Sequence, residues 1–140
     1  MPATKRTFAL SVLPKFFAVC KLAAGSAVPE WATRGEFFSI TSTNEELSII
    51  AEKELIPEDL REEASAKAAW RVLKVHGPFE WSAVGVLAAL VSPLAEAGVS
   101  VFTISTFDTD YLLVRREQLQ AAEAALRRAG HKIHELETVT

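Results

Sequence analysis

The sequence predicts an α+β fold made of two similar βαββαβ units in tandem, the first with a truncated first helix. ITSTNEELSII (residues 40–50) has the layout of ISTFDTDYLLV (residues 104–114) at an offset of 64 residues. FAVCKL (residues 17–22) matches WRVLKV (residues 70–75) at an offset of 53 residues. The difference of eleven residues, about three helical turns, indicates a shortened first helix. These matches place the first unit at residues 1–66 and the second at residues 67–140.

The second unit opens with a strand over residues 70–76, which ends at the turn pair Gly77-Pro78. A helix follows, with Ser82 as its N-cap and Gly98 just beyond its C-terminus. Its apolar face has helical spacing: Val84, Leu87, Val91 and Leu94. The interior Pro93 predicts a kink or an irregular last turn.

A hairpin comes next, with strands at residues 99–106 and 111–115. Its predicted turn is Phe107, Asp108, Thr109 and Asp110. A second helix has an i, i+4 pair of Glu123 and Arg127 and ends at Gly130. Its apolar face is Leu119, Ala122, Leu126 and Ala129. A short strand at residues 132–135 completes the βαββαβ order, which predicts an antiparallel sheet with helices on one face.

The first half is less regular. RTFALSVL (residues 6–13) predicts an extra strand before Pro14. Residues 23–31 replace the first helix with a loop or a single turn. EDLREEASAKAA (residues 58–69) is polar and alanine-rich, which predicts an exposed helix leading into the second unit.

The second face of the predicted sheet is apolar too. Val99 and Val101 lie on one side of their strand, and Phe102 and Ile104 lie on the other. Since helices cover only one face, the sequence predicts a partner sheet on the other, from the other half or from a second chain.

Composition excludes several classes of function. A net charge of −3 gives no electrostatic case for nucleic acid, and no apolar run is long enough to span a membrane. Cys20 is the only cysteine, which predicts a buried small hydrophobe in a reducing cytoplasm. The histidines have no metal-ligand spacing, and no cofactor motif is present, so we expect no metal, no cofactor and satisfied or surface histidines. Trp70 and Trp81 are expected to serve packing.

PLAEAGVSVFTISTFDTDYLLV (residues 93–114) resembles the second unit of tandem ACT-domain proteins, the bacterial relatives of the CASTOR arginine sensors. GEFFSITSTNEELSII (residues 35–50) resembles the corresponding segment of their first unit. The likeness runs from about Phe8 to Gly130. It implies two ferredoxin-like ACT units and a non-catalytic regulatory protein that binds a free amino acid between units.

The resemblance also implies a ligand site. One wall consists of the helix start and the hairpin: Gly85, Val86, Leu87, Thr106, Phe107 and Asp110. The other wall comes from a neighbouring unit, at Ser100 and Val101, so this short chain would need a homodimer. Physical chemistry agrees, because Asp110 can receive the ligand's ammonium and a helix N-terminus can receive its carboxylate.

Two departures limit the resemblance. Ala83 aligns with an acidic residue of the arginine sensors, with only Glu80 nearby as a substitute, so arginine is not the default ligand. The first hairpin has Asn44 and Glu46 where offset 64 places Asp108 and Asp110, which leaves a second equivalent site open.

Three functions compete at this point. The first is the homodimeric amino-acid sensor, which would act on a regulated protein partner. The second is an interaction module that kept the ACT scaffold and lost its ligand. The third is a small enzyme, which the sequence disfavours because it has no Ser/His/Asp or Cys/His constellation, phosphate loop or HExxH motif.

Overall fold

The computed structural model describes residues 7–76 and 85–135. Their regular elements are, in chain order, β1 (Ala9–Val12), β2 (Phe17–Ala23), β3 (Ser39–Ser42), β4 (Glu46–Glu52), α1 (Glu58–Arg61), α2 (Ala64–Lys67), β5 (Trp70–Val75), α3 (Val86–Glu96), β6 (Val101–Ser105), β7 (Asp110–Arg115), α4 (Leu119–Arg128) and β8 (Lys132–Glu135). Single 3-10 turns lie at Glu30–Thr33, Lys53–Leu55 and Arg116–Gln118. The predicted turn at Gly77-Pro78 and the residues Glu80, Trp81, Ser82, Ala83 and Val84 lie outside the described stretches.

The backbone divides into two compact units. One, the C-terminal unit, combines the N-terminal segment up to Pro14 with the residues from Arg71 onward. The other, the inserted unit, is Lys15–Trp70. The sequence placed the boundary between residues 66 and 67 and left the N-terminal strand in the first unit. The contacts instead group that strand with the second unit.

The sheet of the C-terminal unit has the order β6-β7-β5-β1-β8. The element order β5-α3-β6-β7-α4-β8 is the predicted βαββαβ, so the α+β fold is confirmed. Its core contains side chains from the strands and both helices, among them Leu10, Leu73, Leu90, Leu112 and Leu126, all fully buried. Burial of such leucines contributes about 1.5–3 kcal/mol each.

Strand β1 occupies the position next to β5 that the last strand of a βαββαβ unit would hold. It pairs antiparallel with β5, with Leu10 opposite Val75, and parallel with β8, with Leu10 opposite Ile133. Leu10 and Val12 lie in the C-terminal core. Burial of this alternating apolar pair explains why the N-terminal strand joins the C-terminal unit and moves β8 outward by one position.

The inserted unit has the strand order β3-β4-β2. Its core includes Cys20, Leu47, Ile49 and Ala51. The 3-10 turn Glu30–Thr33 stands where a full first helix would be, as predicted.

The predicted helix over residues 58–69 is two single turns instead. Glu63, just before α2, has an extended backbone (φ −70°, ψ 149°), which breaks the helix between Arg61 and Ala64. Ala66 is buried in the core of the inserted unit, so burial of this one methyl side chain accompanies the break.

The most buried face of helix α3 is shifted from the predicted one and shares Leu94 with it. Val86, Leu90 and Leu94 are buried, whereas Leu87 and Val91 are only partly buried against the same core. The helix continues through Pro93 and ends as predicted at Gly98, which has φ +74°. Helix α4 likewise ends at Gly130, with φ +98°. The predicted Glu123–Arg127 pair is present, with 3.4 Å between Oε2 and Nη1.

The two hairpins close in the same way, and their comparison corrects the repeat offset from 64 to 63 residues. Ser42 is opposite Leu47 in the first hairpin, and Ser105 is opposite Asp110 in the second. In each, the next residue is a threonine whose N–H donates across the turn, Thr43 to Glu46 O (2.9 Å) and Thr106 to Thr109 O (2.8 Å). The structural counterpart of Asp110 is therefore Leu47.

Candidate ligand-binding site in the C-terminal unit

The start of α3 is shaped by Gly85. This residue is the N-cap and has a left-handed backbone (φ +84°, ψ 7°), where an L side chain would be strained. An added Cβ would meet no atom within 4 Å, so the glycine is explained by its conformation and not by crowding. The cap provides no side-chain hydrogen bond. Amides in the first turn of a helix have no acceptor within that helix, which makes such a start suited to an anion.

The second hairpin turn is held by Thr106. Its hydroxyl donates to Thr109 O (3.1 Å) and accepts the N–H of Thr109 (3.2 Å). The turn therefore spans Thr106–Thr109, and Asp110 begins β7 instead of belonging to the turn as predicted. Phe107, at the tip, is 75% exposed.

Asp110 is directed to the face of the sheet that the helices cover. It alternates with Leu112 and Val114, both of which lie in the C-terminal core. The hydroxyl of Ser105, its cross-strand neighbour, donates to Asp110 Oδ1 (2.5 Å). Asp110 is half-buried, and Ser105 orients one of its oxygens.

The helix start and the hairpin turn lie at the same end of the unit. Helix α3 rises about 16 Å over its eleven residues, and β6 runs about 17 Å over five. Only residues 97–100 connect them and both elements pack against one core, so we infer that β6 runs back along α3. The hairpin turn therefore returns to the level of Gly85.

Ser100 and Val101 lie at the other end of β6. Four residue steps of about 3.3 Å separate Val101 from Ser105. The side chain of Gln118 holds this end: its Oε1 accepts the Ser100 N–H and its Nε2 donates to Gly98 O, both at 3.3 Å. The eight predicted residues thus form two groups, six around the helix start and hairpin and two at the opposite end, which a single chain does not bring together.

Sequence reasoning missed Ser105 and Gln118 as residues that hold this arrangement. The pairing of Ser105 with Asp110 follows from the hairpin register, which the structure gives. Gln118 leaves no local signal, since its partners are 18 and 20 residues away.

The other candidate reactive groups are held in structural roles. Cys20 is buried, and desolvation together with the nearby charge of Glu63 raises the pKa of its thiol to about 11. The Ser11 hydroxyl lies 2.5 Å from His76 Nε2, but Ser11 is only 3% exposed, too little for a nucleophile to meet a substrate. Across residues 7–76 and 85–135, no cluster of three His, Cys, Asp or Glu side chains is arranged to hold a metal ion. No helix in those stretches is long and apolar enough to cross a membrane.

Comparisons with known proteins identify this architecture. A family model described as an ACT domain matches residues 65–128, and a second model, for an N-terminal domain, matches residues 15–59. A cytosolic arginine sensor for mTORC1, subunit 1, from Bos taurus is 36% identical over 108 residues. That match covers 69% of this chain but 31% of the sensor, so the chain spans about a third of this relative's length.

Similar solved structures support the same fold assignment. An Agobacterium tumefaciens protein is 34% identical with a TM-score of 0.85, over 96% of this chain and 98% of that one. The regulatory subunit of aspartate kinase from Thermus flavus is 13% identical with a TM-score of 0.58, over 89% and 99% of the two chains, and it supports the fold alone. The fold class is that of tandem ferredoxin-like ACT units. The chain belongs to the CASTOR-like family of ACT-domain proteins.

Proposed function

We propose that this protein is a non-catalytic regulator in the cytoplasm that binds a free α-amino acid at the helix-start end of its C-terminal unit. The observation that carries the proposal is the placement of Asp110 on the helix-covered face, at the end where α3 begins at Gly85. The carboxylate would receive the ligand's ammonium in a charge-assisted hydrogen bond, and the first turn of α3 would receive its carboxylate. The relative from Bos taurus, named as an arginine sensor, supports an amino acid as the ligand class.

The site would be completed in a homodimer. Ser100 and Val101 lie at the far end of β6, so they can contribute a second wall only from another subunit. Gln118 already occupies the Ser100 N–H, so Ser100 would meet the ligand through its hydroxyl or carbonyl. Occupancy would then stabilise the dimer and change the surface offered to a regulated protein partner.

Each chain would hold one such site. The counterpart of Asp110 in the first hairpin is Leu47, which is 1% exposed and packed in the core of the inserted unit. An apolar, buried side chain there cannot receive an ammonium. Titration calorimetry with the bound amino acid should therefore give one ligand per chain.

The first prediction concerns Asp110 and uses Asp108 as its control. A thermal-shift screen of the twenty amino acids at millimolar concentration should find at least one that raises the Tm. Asp110→Asn should abolish that shift, because it removes the charge that holds the ammonium. Asp108→Asn removes the same charge from an exposed turn residue and should keep the shift. Twenty inactive amino acids, or equal responses of the two variants, would refute the proposal.

A ligand-free interaction module is the second candidate function, and the exposed aromatics favour it. Phe102 is 45% exposed on β6, and Phe107 is 75% exposed at the turn. This function predicts that a protein partner is bound equally by wild type and by Asp110→Asn, with no amino acid affecting either.

A further inference from the structure

Helix α3 contains a backbone carbonyl that its own helix cannot satisfy. In an α-helix, the C=O of residue 89 accepts the N–H of residue 93. Residue 93 is Pro93, which has no N–H. The carbonyl of Ala89 therefore needs a donor from outside the helix, since an unmade buried hydrogen bond is destabilising.

His131 supplies that donor. Its Nε2 lies 3.0 Å from Ala89 O, and its Nδ1 accepts the backbone N–H of Phe8 at 3.0 Å. These partners define the ring as neutral, with its proton on Nε2, because Nδ1 must present a lone pair to Phe8. His131 is 4% exposed and stacks on the Phe8 ring with centroids 5.9 Å apart.

The same contacts connect three parts of the C-terminal unit. His131 follows α4, its N–H donates to Leu126 O, and Lys132 N–H donates to Phe8 O. Ala89 is also the residue whose N–H closes the first turn of α3 on Gly85 O, at 2.9 Å. A single imidazole thus fixes the first turn of α3 relative to the N-terminal strand and to the end of α4.

We propose that His131 is a positioning residue for the ligand site, which fixes the first turn of α3 by replacing the hydrogen bond that Pro93 removes. This inference rests on the proposed function, because the first turn of α3 is the proposed carboxylate-binding wall. His131 touches no ligand in this arrangement. Its effect on binding comes through the orientation of residues 85–89.

The test is a double-mutant cycle between positions 93 and 131, measured on the full chain by urea unfolding and by ligand titration. His131→Phe keeps a ring but removes both hydrogen bonds, and the loss of the one to Ala89 O should weaken ligand binding about tenfold. Pro93→Ala restores a helical N–H for Ala89. In the double variant, binding should return to within about twofold of wild type, because α3 no longer depends on residue 131. Independent effects of the two substitutions would overturn the inference.

Three controls separate positioning from general stability. His134→Phe makes the same change at an exposed histidine of β8 and should leave affinity unaltered. His131→Gln keeps one donor and one acceptor and should recover most of the affinity. Ile133→Ala truncates a core side chain without touching these hydrogen bonds, so it should lower the Tm and leave the ligand Kd unchanged. If Ile133→Ala weakens binding as much as His131→Phe, the role of His131 is structural only.

A spectroscopic readout makes the inference independent of the ligand. Nitrogen-15 NMR of the imidazoles should show the proton of His131 on Nε2, with Nδ1 as the hydrogen-bond acceptor. A proton on Nδ1 would overturn the inference. If no amino acid binds wild type, the proposed function fails, while the unfolding cycle still decides the coupling of Pro93 and His131.

Discussion

The two hairpins, β3–β4 and β6–β7, share a turn but differ at the residue that follows it on the helix-covered face. Thr43 and Thr106 close the turns with matching hydrogen bonds. At the next paired position, the inserted unit has the buried Leu47 and the C-terminal unit has the half-buried Asp110. The turn therefore maintains the hairpin in both units, whereas a single facing position separates a packing role from a proposed binding role.

The largest effect on the free energy of unfolding should come from exchanging Leu47 and Asp110, the residues that follow the two turns. Leu47→Asp would place a carboxylate in the core of the inserted unit, and we expect a loss of about 3–5 kcal/mol in the free energy of unfolding. Asp110→Leu should change stability by less than about 1 kcal/mol, because the site is only half-buried. Urea unfolding measures both, with Leu47→Met as a volume-matched control. Comparable losses for the two exchanges would contradict the distinction between packing and binding positions.

A smaller loss of stability should follow when the threonine hydroxyl that bridges each turn is removed. Thr43→Val and Thr106→Val each remove the hydroxyl that bridges the turn, and each should destabilise by about 0.5–1.5 kcal/mol. Thr43→Ser and Thr106→Ser keep the hydroxyl and should stay near wild type. Unequal losses, with one hairpin insensitive to its threonine, would show that the two turns are not equivalent.

The smallest effect on stability at neutral pH should come from Cys20 in β2. Cys20 matches Leu73 at the offset of 53 residues, and each lies in its own unit's core. Because burial raises the pKa of Cys20 from 9.0 to about 11, its thiolate population at pH 8 is about 100-fold below that of an unfolded chain. Iodoacetamide labelling should be slower by at least that factor.

The sign of the accompanying pH effect follows from the same shift. The folded protein keeps the Cys20 proton to a higher pH than the unfolded chain does, so this contribution to stability is complete below about pH 9. It is lost as the pH rises through about 11. Cys20→Ala should remove this pH dependence, and rapid labelling of native wild type would disprove the burial argument.

The sequence predicted much of the local structure because the signals were local. Gly98 and Gly130 end their helices with the positive φ that a C-terminal glycine permits. The Glu123–Arg127 pair follows from helical spacing alone. Asp110 accepts a hydrogen bond from Ser105 and begins β7, so its predicted placement in the turn was wrong by one residue, whereas its role in ligand binding stays a prediction.

The repeat offset could not be set from the sequence, and the reason is a two-sided apolar pattern. Ile49, Ile50 and Ala51 are all buried in β4, and so are Leu112, Leu113 and Val114 in β7. A strand that is apolar on both faces looks the same after a shift of one residue, although that shift turns every side chain to the opposite face. Only the hydrogen-bonded register identifies Leu47, and not Glu46, as the counterpart of Asp110.

Most element types and both helix ends in the C-terminal unit could be predicted from the sequence, because these depend on residues within a few positions of one another. The tertiary structure decided where β1 inserts, which face α3 buries and how Ala89 finds a donor in His131. Those outcomes depend on partners that are far apart in the chain, 123 residues in the case of Phe8 and His131. Their energies come from burial and from completing backbone hydrogen bonds, and neither is visible in a local window.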